Sequence, residues 1–256
     1  MTLLRILTLF IAILGFVIHV NTANAEKIVR VVGYTFPPFV SNDGTDGLTM
    51  EFLKFLNSRQ SDYRFQFFKA PPKRRYWTIE NQQADIILFE MPEWGWQKYA
   101  QLIDQTRVLL HGGEVYITQV LKGRNQAYFD RISDKNLVGV FGYHYGFAGF
   151  NNDQDWLDKN FSIVLTENPE DVITMILKDR ADIGVVSQSY LSRYLTKNPQ
   201  AAKELLVSEK KDQEYRLKAL IGKHAPISKA DFEAMLEKLE RSGELDAFFR
   251  SQGIKG

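Results

Sequence analysis

Asn81-Gln82-Gln83-Ala84-Asp85-Ile86-Ile87 and Lys178-Asp179-Arg180-Ala181-Asp182-Ile183-Gly184 are two similar stretches that lie far apart in the chain. In each of them, the polar end of a helical pattern runs directly into a buried strand that begins near an Ala-Asp pair. The repeat predicts two similar α/β lobes. Chance similarity within one six-stranded domain is the alternative.

The residues before the first stretch alternate between strand and helix patterns. Residues 28–34 and 63–68 are β-rich, while Leu48, Phe52 and Phe55 have the i, i+4, i+7 spacing of one helix face. A second helical stretch from about Lys73 leads into a strand over residues 84–89. This order predicts a mostly parallel sheet covered by helices, whose strand ends direct loops into a shared crevice.

The same order returns in the second half of the chain. Residues 137–141 and 161–165 are predicted strands, and Asn168-Pro169 is typical of an N-cap followed by a proline at the first helical position. The helix that follows leads into a strand over residues 181–186. The second half therefore repeats the pattern of the first.

Two β-rich runs are expected to cross between the lobes. They cover residues 114–118 and, after a charged stretch at 208–214, residues 216–221. A capping pattern of Ser228 with Asp231 begins a helical tail that is expected to pack on the first lobe, with Gly243 as its terminator. The predicted lobes are residues 26–116 plus 220–256, and residues 117–219.

Composition excludes several classes of protein. The 256 residues are 45% apolar and 25% charged, which is typical of a folded globular protein. With 32 Lys and Arg against 31 Asp and Glu, the chain lacks the basic excess of a nucleic-acid-binding protein. It has no cysteine, and its histidines show no ligand spacing, so we predict no metal site and no cofactor.

The first 25 residues have the pattern of a signal peptide. Arg5 precedes an apolar run over residues 6–20, and Ala23-Asn24-Ala25 places small residues at the positions that determine cleavage. We predict cleavage after Ala25 and export to a bacterial periplasm. An uncleaved membrane anchor is the alternative.

Short motifs follow one another along the predicted mature chain. They are Val32-Gly33-Tyr34-Thr35-Phe36-Pro37-Pro38-Phe39, Gly47-Leu48-Thr49-Met50-Glu51-Phe52-Leu53, the two Ala-Asp strands and Gly243-Glu244-Leu245. In this order they resemble the family 3 extracellular solute-binding proteins, the periplasmic receptors of polar amino acid uptake systems. The resemblance implies a type II periplasmic binding fold, in which two α/β lobes and a two-stranded hinge trap a ligand in the cleft between them.

Candidate ligand-binding residues of the first lobe follow its strands. Tyr34 and Phe36 come after the first strand, where the resemblance implies an aromatic wall. The strand at 84–89 is followed by Glu90, Trp94 and Trp96. This composition predicts an aromatic and acidic wall of the cleft. For each residue a structural role is the alternative.

The chain departs from the family in this segment. Amino acid receptors of the family place an arginine here to bind the ligand's α-carboxylate, but this sequence has Trp96 or Gln97 at that position. Arg74 and Arg75, beside Lys73, are candidates to replace it, although such a basic run is usually solvated.

Candidates in the second lobe lie in two loops. Tyr143, His144 and Tyr145 follow the strand at 137–141 and can bind a ligand by stacking and hydrogen bonding. Ser187 occupies the position where the family's amino acid receptors place an aspartate for the ligand's α-ammonium. A serine cannot neutralise a cation, so the resemblance predicts the fold better than it predicts the ligand.

The function expected from these observations is that of a monomeric periplasmic binding protein. It captures a small polar or aromatic-bearing solute and delivers it to an inner-membrane permease. A sensor subunit that signals to a membrane partner is one alternative. A dehydratase-like enzyme using Glu90 or Glu93 with His144 is a less favoured one. The hypothesis requires two halves rather than a single undivided sheet, and an interlobe groove that the protein's own side chains leave open.

Overall fold

The structure, a computed structural model, describes residues 26–253. The predicted signal peptide therefore lies outside the described residues. No helix within residues 26–253 combines the length and the apolar character that a membrane span requires.

Within residues 26–253, nine strands form one curled sheet with the order β2-β1-β3-β9-β5-β8-β6-β7, and β4 pairs with β9. They are β1 (Lys27–Gly33), β2 (Tyr63–Lys69), β3 (Ile86–Glu90), β4 (Ile103–Gln105), β5 (Leu110–Gln119), β6 (Leu137–Val140), β7 (Ile163–Thr166), β8 (Ile183–Ser187) and β9 (Leu205–Gly222). The predicted strands are present, with shifts of a few residues at their ends, except that β9 begins at Leu205 rather than near residue 216. Strand β4 was not predicted.

The described part of the chain contains eight α-helices that cover the sheet: α1 (Leu48–Asn57), α2 (Arg75–Glu80), α3 (Gln154–Asn160), α4 (Pro169–Leu177), α5 (Gln188–Lys197), α6 (Ala201–Glu204), α7 (Lys229–Arg241) and α8 (Glu244–Ser251). Asn168 and Ser228 cap α4 and α7 as predicted. Each side chain accepts a hydrogen bond from the backbone N–H of the residue three positions later in the chain. The tail packs on the first lobe, where Phe248 lies 4.8 Å from Phe55 between ring centroids.

The two Ala-Asp stretches occupy equivalent places in two similar half-sheets. Strands β2-β1-β3 and β7-β6-β8 have the same order and are parallel within each half. Asp85 accepts a hydrogen bond from the backbone N–H of Arg30 at 2.7 Å, and Asp182 accepts one from that of Asn136 at 2.9 Å. Each aspartate thus ties the start of its strand to the neighbouring strand, which explains why both halves contain the same motif.

Two long strands connect the halves. Residues of β9 from Leu205 to Leu217 pair with β5, whereas Lys218 to Gly222 pair with β3 and β4. The charged stretch at 208–214, which we did not predict as strand, is part of β9. Pairing with β5 extends the strand through this polar segment, with bulges near Val115. The exact lobe boundaries remain a prediction.

Candidate functional site

A crevice between the two halves is lined mainly by aromatic side chains. Phe36 lies at its centre, with ring centroids 5.7 Å from Trp94, 5.5 Å from Tyr143 and 6.0 Å from Tyr215. These rings are edge-on to Phe36, a favourable arrangement for aromatic pairs. Because Phe36 follows β1 and Tyr143 follows β6, the contact joins the two lobes.

The crevice is closed by these side chains. Phe36 is 4% exposed, and the cavity that remains has a volume of about 10 Å³. Its lining consists of Tyr34, Phe36, Trp94, Glu114, Tyr143, His144 and Tyr215. Such a space holds one water molecule at most. The open groove that the sequence hypothesis required is therefore not present in this conformation.

Hydrogen bonds also join the lobes across the crevice. The hydroxyl of Tyr143 donates to the carbonyl of Thr35 at 3.0 Å, and Trp94 Nε1 donates to Gln213 Oε1 at 2.8 Å. The Tyr76 hydroxyl lies 3.3 Å from His144 Nε2. Each such bond contributes only about 1 kcal/mol net to the closed form.

Arg75 and Glu90 form a buried ion pair behind Tyr34, with Nη2 and Oε1 3.3 Å apart. The guanidinium also donates to the carbonyl of Pro72. Its carbon lies 4.4 Å from the ring centroid of Tyr34 and 4.3 Å from that of Tyr76, so aromatic faces cover it. Burial raises the pKa of Glu90 more than the charge of Arg75 lowers it.

The backbone conformation at the end of β3 places Glu90 beside Arg75. A register shift lies between Ile87 and Glu90, and Phe89 has a φ of 55°, in the left-handed region. A non-glycine residue in this region costs on the order of 1–3 kcal/mol unless the surroundings enforce it. Phe89 is buried against Phe39 and Phe52, and this packing holds the strained turn.

Glu114 is the buried carboxyl on the hinge side of the crevice. It lies on β5 opposite Ser187 of β8, and it accepts a hydrogen bond from Gln213 Nε2 at 2.8 Å. Burial, reinforced by the charge of Asp212, raises the pKa of Glu114 to about 8. Asp212 itself accepts hydrogen bonds from the hydroxyl of Tyr116 and the backbone N–H groups of Gly146 and Phe147.

His144 is a neutral imidazole at the outer edge of the crevice. Burial, with repulsion from Arg75 and Lys73, lowers the pKa of His144 to about 3. Larger hollows open around the closed centre. One of about 310 Å³ is lined by His144, Lys73 and Lys98, and one of about 520 Å³ lies on the hinge side beside Tyr215.

The structure brings five of the predicted residues to the crevice lining: Tyr34, Phe36, Trp94, Tyr143 and His144. Arg75 and Glu90 lie directly behind it. The other four lie elsewhere. Arg74 is exposed against Trp77, and Trp96 packs against Tyr76 and Tyr99. Tyr145 bonds to Val140 inside the second lobe, and Ser187 caps α5.

Sequence reasoning missed Glu114 and Tyr215. Both lie on the strands that cross between the lobes, where they form the floor of the crevice. A signal was present for Glu114, because it is an acid in an otherwise β-rich run that was expected to cross the cleft. Tyr215 immediately precedes the second β-rich run, residues 216–221, and no feature of the sequence there indicates a lining residue.

Comparison with known proteins agrees with the predicted fold. No family model matches the chain, and no curated protein matches it significantly. Many solved structures do match. The substrate-binding protein of an amino acid ABC transporter has a TM-score of 0.66 at 13% identity, covering 88% of this chain and 98% of that one. The chain has the two-lobed fold of periplasmic binding proteins.

Two further structures have this fold. The GluR0 ligand-binding core from Nostoc punctiforme, in complex with L-glutamate, has a TM-score of 0.65 at 13% identity and covers 87% of this chain and 98% of that one. The VFT2 domain of BvgS from Bordetella pertussis, as a double mutant, has a TM-score of 0.59 at 16% identity. The match covers 87% of this chain and 91% of that one. Identities this low support the fold rather than a ligand.

Proposed function

We propose that the chain is a periplasmic binding protein that captures a small solute between its lobes and presents the closed form to an inner-membrane permease. The observation that carries this proposal is the crevice itself, where residues after β1 and β3 meet residues after β6. A ligand that contacts both lobes binds one interlobe angle better than another and so shifts the population. The two hinge strands allow that motion.

The closed crevice gives the proposal a specific requirement. The central cavity between the lobes has a volume of about 10 Å³, so no solute larger than water fits there, and the lobes must separate before a ligand reaches it. The ring of Phe36 must then leave that of Tyr143. A bound ligand would occupy the space between these rings and hold the lobes at a wider angle.

A thermal-shift screen of polar solutes, followed by small-angle scattering, tests this function. A solute at a hundredfold excess over its Kd stabilises the folded protein by about 2.7 kcal/mol. We expect the same solute to change the radius of gyration. If no polar solute raises the melting temperature and none alters the scattering, the proposal is wrong.

A periplasmic sensor subunit is the second candidate function. Closure of the crevice by the protein's own side chains favours it, because a closed state that needs no ligand can serve as one of two signalling states. The fold shared with the BvgS VFT2 domain is consistent with this role. Co-purification with a membrane kinase or cyclase, and not with a permease, would favour sensing.

We propose a binding role and not a catalytic one. His144 lies within hydrogen-bonding distance of Tyr76, and Glu90 is paired with Arg75. Glu93, the other carboxylate of the enzyme alternative, lies 3.7 Å from Arg216 between charged atoms. The acid and base of that alternative are thus engaged separately. Recovery of a bound solute in unchanged form is the result expected for a binding protein.

A further inference from the structure

The described carboxyl groups around the crevice differ in what balances them. Glu90 and Glu114 are buried, and Asp212 is half-buried. Glu90 has the guanidinium of Arg75. Asp212 has a tyrosine hydroxyl and two backbone N–H groups. Glu114 has one amide donor, Gln213, and no Lys, Arg or His within residues 26–253 forms an ion pair with it. Glu114, like Asp212, forms no ion pair with a described cationic side chain, and it accepts fewer hydrogen bonds than Asp212 does.

A buried carboxylate without a counter-charge is costly, and a cation from outside the chain would remove that cost. Glu114 is 2% exposed and lines the small central cavity. The other lining residues are His144 and five aromatic side chains, Tyr34, Phe36, Trp94, Tyr143 and Tyr215. Aromatic faces attract ammonium groups, most strongly when water is excluded. Carboxyl and rings together have the chemistry of a cation site.

None of the described residues that line the central cavity is a lysine or an arginine, so the cavity has no matching site for a carboxylate. Arg75 is buried behind the crevice, and this side chain is already committed to Glu90 and to the carbonyl of Pro72. Its guanidinium carbon also lies 4.4 Å from the ring centroid of Tyr34 and 4.3 Å from that of Tyr76. A ligand carboxylate would have to displace Glu90, which would leave a second buried carboxylate unpaired.

We propose that Glu114 and the rings around it bind the ammonium group of a small organic amine that lacks a carboxylate. This inference rests on the proposed interlobe capture of a solute and adds its chemical class. Glu114 lies on hinge strand β5, so it stays at the floor of the crevice when the lobes separate. Separation of Phe36 from Tyr143 exposes it, and closure on the amine then covers the ammonium with aromatic rings.

Matched pairs of amine and parent amino acid test the inference by calorimetry. The probes are agmatine and arginine, cadaverine and lysine, histamine and histidine, 2-phenylethylamine and phenylalanine, and tyramine and tyrosine. Within a pair the side chain is constant, so the comparison isolates the carboxylate. We expect at least one amine to bind tenfold or more tightly than its parent.

The variant E114Q checks that the carboxyl carries the effect. Loss of a charge-assisted hydrogen bond should weaken amine binding by about tenfold or more. The matched control is E214Q, because Glu214 is an exposed glutamate on β9 whose side chain is 78% exposed. The control should bind the amine within about twofold of the wild-type protein.

Each outcome is decisive. If amino acids bind and no amine binds more tightly than its parent in any pair, the inference is wrong while interlobe capture stands. If E114Q binds the amine as the wild type does, the assignment of Glu114 is wrong. If neither amines nor amino acids bind, the inference is overturned, and the screen of other polar solutes with scattering then decides the proposed function separately.

Discussion

Arg75 Nη2 lies 3.3 Å from Glu90 Oε1, and the two side chains are 0% and 1% exposed. Arg75 begins α2, whereas Glu90 ends β3, so the pair ties a helix of the first lobe to the end of a central strand. A buried ion pair of this kind is weak evidence for high stability, since both charges lose their hydration. Removing only one of the two charges nevertheless destabilises a protein strongly, because the other charge stays buried without a partner.

The first prediction concerns this pair. R75M should lower the free energy of unfolding by about 3–5 kcal/mol, because it leaves Glu90 buried without a counter-charge. The double variant R75M/E90L should recover much of the loss. Urea unfolding of the single and double variants measures the coupling. R74M is the control, since Arg74 is exposed, and it should change stability by about 0.5 kcal/mol or less. Equal losses for R75M and R74M would contradict the assignment.

Arg74 and Arg75 show where sequence information stops. The run Lys73-Arg74-Arg75 offered two candidates for an inward-facing base, and nothing in the spacing chose between them. The choice is made by where α2 begins and which of its faces meets β3, and both depend on tertiary packing. The sequence therefore named the right short run but could not choose the residue.

The two Ala-Asp stretches allowed much more to be predicted. Each aspartate bonds to a neighbouring strand within its own half, so the pattern is local to one β-α-β unit and repeats with it. The full length of strand β9 was harder to predict, because its charged residues 208–214 adopt a strand conformation by pairing with β5. Glu114 was missed as a lining residue for a related reason, since its position depends on two strands that meet at the hinge.

The closed crevice could not be predicted from sequence at all. Aromatic residues after β1 and β6 indicate a wall that can bind a ligand, and equally one that can pack on itself. Which of the two occurs depends on the angle between the lobes. The angle is a property of the whole molecule, and the pattern of residues in any one loop does not encode it.

Phe36 is the subject of the second prediction. F36A should lower the free energy of unfolding by about 3–5 kcal/mol, as is usual for a buried phenylalanine. It should also favour open lobes, because the ring contacts Tyr143 across the crevice. F52A is the matched control, since Phe52 is equally buried but packs within the first lobe. We expect a larger radius of gyration by small-angle scattering for F36A alone. A similar increase for F52A would contradict the interlobe role.

Gly142 and Pro72 lie in contact across the crevice and give a third prediction. Gly142 has a φ of +79°, and a Cβ on it would lie 2.7 Å from Pro72 Cβ. G142A should therefore strain the backbone by about 1–2 kcal/mol and also push the lobes apart. Gly149 has a φ of +59° with nothing within 4 Å of its Cβ position, so G149A should show the strain alone.

Spin labels can measure this displacement. The chain has no cysteine, so K54C in the first lobe and K159C in the second provide a unique pair of labelling sites on exposed side chains. The interlobe distance between them should lengthen in G142A and stay at its wild-type value in G149A. An unchanged distance in G142A would show that Pro72 moves within its own lobe.

The fourth prediction concerns His144 and acid. Its pKa is about 3 in the folded protein against an ordinary value of 6.5, so the unfolded chain binds a proton over this range while the folded protein does not. The contribution of His144 to the free energy of unfolding is complete above about pH 6.5 and is lost as the pH falls towards 3. H144Q should therefore lose less stability between pH 6.5 and 4 than the wild type does. Parallel profiles in urea unfolding would contradict a buried neutral imidazole.

Glu114 should produce the opposite pH dependence, which is the fifth prediction. Its pKa is about 8 in the folded protein and 4.5 ordinarily, so between these values the folded protein holds a proton that the unfolded chain has released. Its contribution to stability is complete below about pH 4.5 and is lost as the pH rises through 8. E114Q has no such proton, so its stability relative to the wild type should increase steadily from pH 4.5 to 8. Thermal unfolding of E114Q and of the exposed control E214Q across this range measures the difference. An E114Q profile that runs parallel to the wild type would mean that the carboxyl is already ionised in the closed crevice, with its charge balanced by some group other than Gln213.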